Sequence, residues 1–123
     1  MDIAVSKCIE FEAELPLPLK KEENTDLFKV VQSFGLKQAA LDGNDVAEEG
    51  IWRRSNGDLL TYFNWKDSAP SNWQGDQHYL SYNKQEKGEW NDVAATQVGN
   101  IICQKEVNGK FLCYFRVLGK RLN

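Results

Sequence analysis

Few residues in this chain are suited to covalent chemistry. There is one histidine, His78, and three cysteines, Cys8, Cys103 and Cys113. One imidazole leaves little room for a histidine-based zinc or nucleophile site, because such sites draw on several nitrogen or sulfur ligands or on a paired base. Its plain reading is a half-exposed strand residue. Two carboxylates can do glycosidase chemistry, but no constellation marks such a pair. No catalytic residue is therefore assigned, and the expectation is that the chain is not an enzyme. Four tryptophans are the other notable endowment. Trp is a large buried payload or an aromatic contact. Trp73 lies in a polar stretch and is the candidate for exposed contact, with Tyr62 and Tyr79 as possible additions to an aromatic surface.

The rest of the composition bounds the role. The chain has 123 residues, 41% hydrophobic and 27% charged, a globular balance and one domain's length. Net charge is -3, and no basic run exceeds a pair such as Lys120-Arg121 at the tail, so nucleic acid is not an expected partner. Asp2, Lys7, Glu10, Glu12 and Glu14 interrupt the first stretch, so it forms neither a membrane-inserting run nor a signal peptide.

Two helices open the chain. Met1–Glu14 places Ala4, Cys8, Phe11 and Leu15 at spacings of three and four, with Asp2 at the cap position. Leu15-Pro16-Leu17-Pro18-Leu19 ends it. Glu22–Phe34 forms the second, with acidic residues at its positive end, a stripe of Leu27, Val30, Val31 and Phe34, and Gly35 as its stop. Beyond Gly35, short apolar runs alternate with Gly, Asn and Asp. Leu59–Trp65, Tyr79–Tyr82, Ile101–Glu106 and Lys110–Val117 read as strands, and Asp67–Gln77 as a long loop. Asn108-Gly109 supplies the positive-φ pair of a two-residue hairpin turn, joining the last two strands. Helices followed by a mostly antiparallel sheet make the class α+β.

The series Glu49-Gly50-Ile51-Trp52, Thr61-Tyr62-Phe63-Asn64-Trp65, Trp90-Asn91-Asp92 and Ile101-Ile102-Cys103 resembles the C-type lectin-like domain, in order and in spacing. Ala4, Cys8, Leu15 and Glu22-Glu23-Asn24 look like that family's first two helices. The resemblance runs from Met1 to about Glu106 and implies a C-type lectin-like fold of two helices, antiparallel sheets and a long loop region. The family opens with a strand that pairs with its last one. Here Asn108–Phe115 and Leu118–Asn123 look like that strand and its lead-in, placed at the end. The expected organisation is one domain over 1–123, with helices and main sheet in 1–106 and a hairpin strand in 107–123 replacing the opening strand. That is a circularly permuted order, natural or engineered. The rival is a piece of a tandem array.

The resemblance also implies pairings and ligands. Cys8 and Cys103 match the family's long disulfide. Its second bridge falls at Tyr79 and Ala95, neither of them Cys. Cys113 is read as a small apolar residue buried in a strand, with intermolecular bridging or mispairing with Cys8 as the alternatives. In sugar-binding members a Ca²⁺ ion and vicinal hydroxyls meet at a Glu-Pro-Asn or Gln-Pro-Asp tripeptide, a further acidic residue, and Asn-Asp. The corresponding residues are Ala69, Pro70 and Ser71, then Gln77, then Asn91 and Asp92. One carboxylate is little charge for a cation that takes six to eight oxygens. Asn91 and Asp92 are instead expected to pin the neighbouring loop by hydrogen bonds. An auxiliary calcium site would use Asp45, Glu49, Asn72, Gln77 and His78. It is likewise depleted, and Asp45 and Glu49 read as a solvated acidic loop. Arg53-Arg54 reads as a solvated face, or a contact for an acidic partner.

The expected function is a recognition module for a protein or glycan ligand, without the usual calcium and sugar site. The alternative is a calcium-dependent carbohydrate-binding lectin. The weak ligand-binding set is Ala69, Pro70, Ser71, Trp73, Gln77, Asn91 and Asp92. The doubtful calcium set is Asp45, Glu49, Asn91 and Asp92. No cofactor other than calcium enters. A secreted or extracellular location follows from the resemblance, and a homodimer through the terminal strand or Cys113 is open.

Overall fold

The computed structural model describes residues 3–71, 75–84, 87–97, 99–107, 109 and 111–117, with residues 111 and 112 described by their backbone alone. Met1, Asp2, Trp73, Asn108 and the 118–123 tail lie outside these residues. The cap at Asp2, the contact role of Trp73 and the lead-in at 118–123 therefore lie outside them too.

Helix α1 spans Ile3–Glu10 and α2 spans Lys21–Ser33. The first is shorter than its apolar spacing predicts. Its chain turns at Glu12, whose φ of 55° is left-handed. The Ala13 N–H donates to the Cys8 carbonyl at 3.0 Å and the Glu12 N–H to that of Ile9 at 2.9 Å, a double closure that ends a helix. Phe11 therefore lies past the helix and is exposed, while Leu15 is buried from the segment that follows. Helix α2 ends the same way at Gly35, as the sequence predicts, with φ of 75° and Leu36 N–H donating to Val31.

Strands β1 (Ala40–Asn44), β2 (Tyr79–Tyr82) and β3 (Trp90–Val93) form one antiparallel sheet in that order. Strands β4 (Ile101–Val107) and β5 (Phe111–Val117) form a second, two-stranded one. They pair from Ile101 with Val117 to Val107 with Phe111, within the one chain. Gly109 in the connection has φ of 70°, the backbone state that selects glycine there.

Leu59–Trp65 is not a strand. It makes only isolated bridges, Leu59 to Arg53 and Trp65 to Trp90. Two bonds hold its end to the start of β3: Trp90 N–H to the Asn64 carbonyl at 2.7 Å, and Lys66 N–H to the Trp90 carbonyl at 2.9 Å. Its aromatics cross the core instead. Tyr62 and Trp65 meet Trp90 edge-on, and Trp52 meets Trp65 likewise. Among the described residues, Asp67–Gln77 holds neither strand nor α-helix.

The main core lies between α2 and the three-stranded sheet, around Leu27, Phe28, Val31, Leu41, Trp52, Leu80, Tyr82, Trp90 and Ile102. A second cluster joins α1 to β1 and β4 through Ala4, Val5, Leu15 and Ala40. The Cys8–Cys103 disulfide runs through it and spans 95 residues, with the two Cα atoms 5.5 Å apart. Cys113 is exposed, not buried. It pairs with Lys105 on the same face of β5 as Phe115 and Val117, which pack against the second cluster, but that packing does not extend to Cys113.

Candidate ligand-binding site

The site is built outward from Trp90. Its indole Nε1–H donates to Asn24 Oδ1 at 2.9 Å, and the ring is wholly buried. Alternation along β3 then turns Asn91 toward the surface and Asp92 back into the protein. Asp92 is fully buried. Its Oδ1 accepts the Ser71 N–H at 2.9 Å, and the Ser71 hydroxyl donates to Gln77 Oε1 at 2.7 Å. The Ala69–Pro70 peptide that leads into this turn is cis. Ser71, Gln77 and Asp92 are thus brought together, across gaps of 21 and 6 residues.

These donors do not fit a calcium ion. Ala69 has no side-chain oxygen, the Ser71 hydroxyl is spent on Gln77, and Asp92 turns inward to a backbone N–H. A hard cation that needs six to eight oxygens finds one carboxylate, already engaged.

On the surface side of β3 lies a cleft of about 370 Å³. Five amide side chains, Gln38, Gln77, Asn83, Asn91 and Gln97, line it together with Lys84. The Asn83 Nδ2 is buried and has no hydrogen-bond partner among the described residues. Amides offer both donors and acceptors without charge, and among the described residues Lys84 is the one ionised side chain in the wall.

The second group of predicted ligands lies where β1 ends. Asp45 is buried, its Oδ2 accepting the Gly50 N–H at 2.9 Å, so this is not a solvated acidic loop. His78 precedes β2 and does not belong to it. Its Nδ1 lies 2.9 Å from Asp45 Oδ1 and 3.8 Å from Glu49 Oε1, and its Nε2 lies 3.1 Å from the Gly75 carbonyl oxygen. The hydrogen bond to Asp45 raises the His78 pKa above its ordinary 6.5, and a hydrogen bond with the same Asp45 raises that of Glu49. His78, which the resemblance gives as an auxiliary calcium ligand, offers ring nitrogens and no side-chain oxygen. The lone-residue reading of His78 misses this, because its partner is 33 positions away.

Arg54 is not a solvated residue either. Its Nε lies 3.4 Å from Oδ2 of buried Asp42, which also accepts from Ser55 N–H and hydroxyl. Arg53 donates to the Gly57 carbonyl at 3.1 Å.

Comparison with known proteins adds the following. A family model described as the lectin C-type domain matches residues 1–105. The human scavenger receptor C-type lectin carbohydrate-recognition domain is 25% identical, with a TM-score of 0.75 over 87% of this chain and 83% of that one. The C-type lectin CEL-I from Cucumaria echinata is 22% identical, with a TM-score of 0.69 over 76% of this chain and 73% of that one. A calcium-independent type II antifreeze protein is 18% identical, with a TM-score of 0.66 over 76% and 68%.

Proposed function

The chain belongs to the C-type lectin domain family, and from that premise we propose that it is a recognition module binding a glycan or protein ligand without calcium. The observation that carries this reading is the engaged, fully buried Asp92 beside a serine and a glutamine that are bonded to each other. Recognition then falls to neutral groups. The amide cleft of Gln38, Gln77, Asn83, Asn91 and Gln97 matches the alternating donor and acceptor hydroxyls of a sugar, or the backbone of a peptide loop. Lys84 favours a ligand carrying a carboxylate. The family consists generally of binding modules, and the described residues present no nucleophile with a base, so the reading includes no catalysis.

The same reading places the chain outside the reducing cytosol, where a bridge such as Cys8–Cys103 persists. No described helix is long and apolar enough to cross a membrane. The family match ends at residue 105, before β5. The full pairing of β5 with β4 supports its standing in for the family's opening strand, and Cys113 on it gives a route to a covalent dimer.

A glycan array probed with and without EDTA, on protein with the disulfide intact, tests the reading. Binding retained in EDTA and lost in Asn91→Ala and Gln38→Ala supports it. Binding to mannose or galactose that EDTA abolishes replaces it with a calcium-dependent lectin.

A further inference from the structure

The His78 ring poses a problem that the recognition role does not solve. Its Nε2 faces the Gly75 carbonyl oxygen, which can only accept, so Nε2 carries a proton. In the neutral ring Nδ1 is then a bare lone pair, and it points at Asp45 Oδ1 from 2.9 Å. Two acceptors at that distance repel unless a cation lies between them. The cation is either a proton, giving an imidazolium ion pair, or a metal.

The surroundings favour the metal. Glu49 brings a second carboxylate, its Oε1 3.8 Å from the same Nδ1, and all three ligand atoms lie within 4.8 Å of one another. Tetrahedral ligands about 2.0–2.1 Å from a zinc ion stand about 3.3–3.4 Å apart, between the two distances found here. The outer contacts are also in place. Gly75 holds the far ring nitrogen, and the Gly50 N–H holds the far oxygen of Asp45. Partners of this kind fix the tautomer and aim of metal ligands. Asp45 is 2% exposed while Glu49 is exposed, so the triad has a rigid floor and a side open to solvent. Mixed nitrogen and oxygen donors suit zinc, copper or nickel and not calcium.

We propose that Asp45, Glu49 and His78 form a binding site for a divalent transition cation of the zinc class, with a coordination position left for water or a ligand group. This departs from the expectation that one histidine leaves little room for a zinc site, because the carboxylates supply the remaining ligands.

Because His78 is the chain's one histidine, its ring nitrogens can be read directly by ¹⁵N NMR. The protein is used full length and oxidised, in a Cys113→Ser background so that no free thiol competes. Zinc chloride is expected to shift Nδ1, leave Nε2 protonated, and raise the melting temperature. His78→Gln and Asp45→Asn are expected to weaken zinc affinity at least about tenfold, and Co²⁺ to give a tetrahedral visible spectrum. Calcium chloride is expected to leave the ring unchanged. A ring spectrum unmoved by millimolar zinc, with Nδ1 staying protonated, overturns the proposal. So does a folded His78→Gln protein that binds zinc as tightly as its parent. Glycan binding through Asn91 and Gln38 is read separately, so either reading can fail alone.

Discussion

Asn24 is the residue on which the core depends most and to which the sequence attaches no function. It sits in the first half of α2, polar on a helix, and is 5% exposed. Its Oδ1 accepts from the Tyr82 hydroxyl at 2.8 Å and from the Trp90 indole at 2.9 Å, and its Nδ2 donates to the Gly88 carbonyl at 3.0 Å. One amide thus ties α2 to β2, to β3 and to the turn between them. Removing it orphans the Trp90 indole N–H and leaves the Tyr82 hydroxyl only the Asn24 main-chain carbonyl at 3.3 Å, while the Gly88 carbonyl keeps the Asn64 amide at 2.7 Å; an orphaned buried group costs about 1–3 kcal/mol. Asn24→Leu is therefore expected to lower stability by about 1–3 kcal/mol in urea unfolding, and Tyr82→Phe by about 1 kcal/mol, since Asn24 keeps its other bonds. Burial pushes the Tyr82 phenol far above its ordinary 10. The folded state then holds the proton more tightly than the unfolded one. The stability this gives is complete below pH 10 and is lost as the pH rises above it. Unfolding curves at pH 8 and pH 10.5 should show a smaller loss in Tyr82→Phe than in the parent.

Among the elements, the β4–β5 hairpin and β1 each turn on a glycine. Gly109 has φ of 70°, and an added Cβ would meet nothing closer than a Glu106 oxygen at 3.9 Å. Gly109→Ala is accordingly a pure test of backbone strain, expected to cost about 1–2 kcal/mol with the register kept. Gly43 is the opposite case. A Cβ there would lie 2.9 Å from Leu80 Cδ2 and 3.3 Å from Leu60 Cδ2. Gly43→Ala is expected to cost about 1–3 kcal/mol through overpacking, and Gly43→Ala with Leu80→Val to recover part of it. Helix α2 and the hairpin are legible in the sequence because their signals are local: a stripe at helical spacing with a glycine stop, and Asn-Gly between two apolar runs, although pairing of Val107 with Phe111 leaves three residues in the connection and not the two expected. Strands β1 and β3 are not. Ala40–Asn44 contains Asp42 and Gly43, and Trp90–Val93 contains Asn91 and Asp92, all poor strand formers. They are strands because β2 lies between them. Leu59–Trp65 fails in reverse, since its β-forming aromatics are used to cover Trp90.

For the whole molecule, the Cys8–Cys103 bridge is the long-range constraint. Closing 95 residues of chain is worth about 4–5 kcal/mol in the chain-entropy model. Thiol titration of the denatured, unreduced protein should find one thiol, Cys113. Reduction should lower the melting temperature sharply, and Cys8→Ala with Cys103→Ala should match the reduced parent. Three free thiols would remove this account of stability.

The sequence by itself determines which side chains stand at the positions that the family resemblance gives to calcium ligands. Ala69 has no side-chain oxygen and Gln77 no charge, and these are properties of residue types that no fold can alter. It also carries the family, through motifs whose order survives in the chain. What only the tertiary structure decides is where the remaining polar groups spend their bonds. His78 reaches Asp45 across 33 residues, Asp92 reaches Ser71 across 21, and Trp90 reaches Asn24 across 66. No local period records such pairings, because a side chain's partner is set by which strands pack together. The acidic residues set aside as calcium ligands thereby become, around one histidine, the most pointed chemical feature of the molecule.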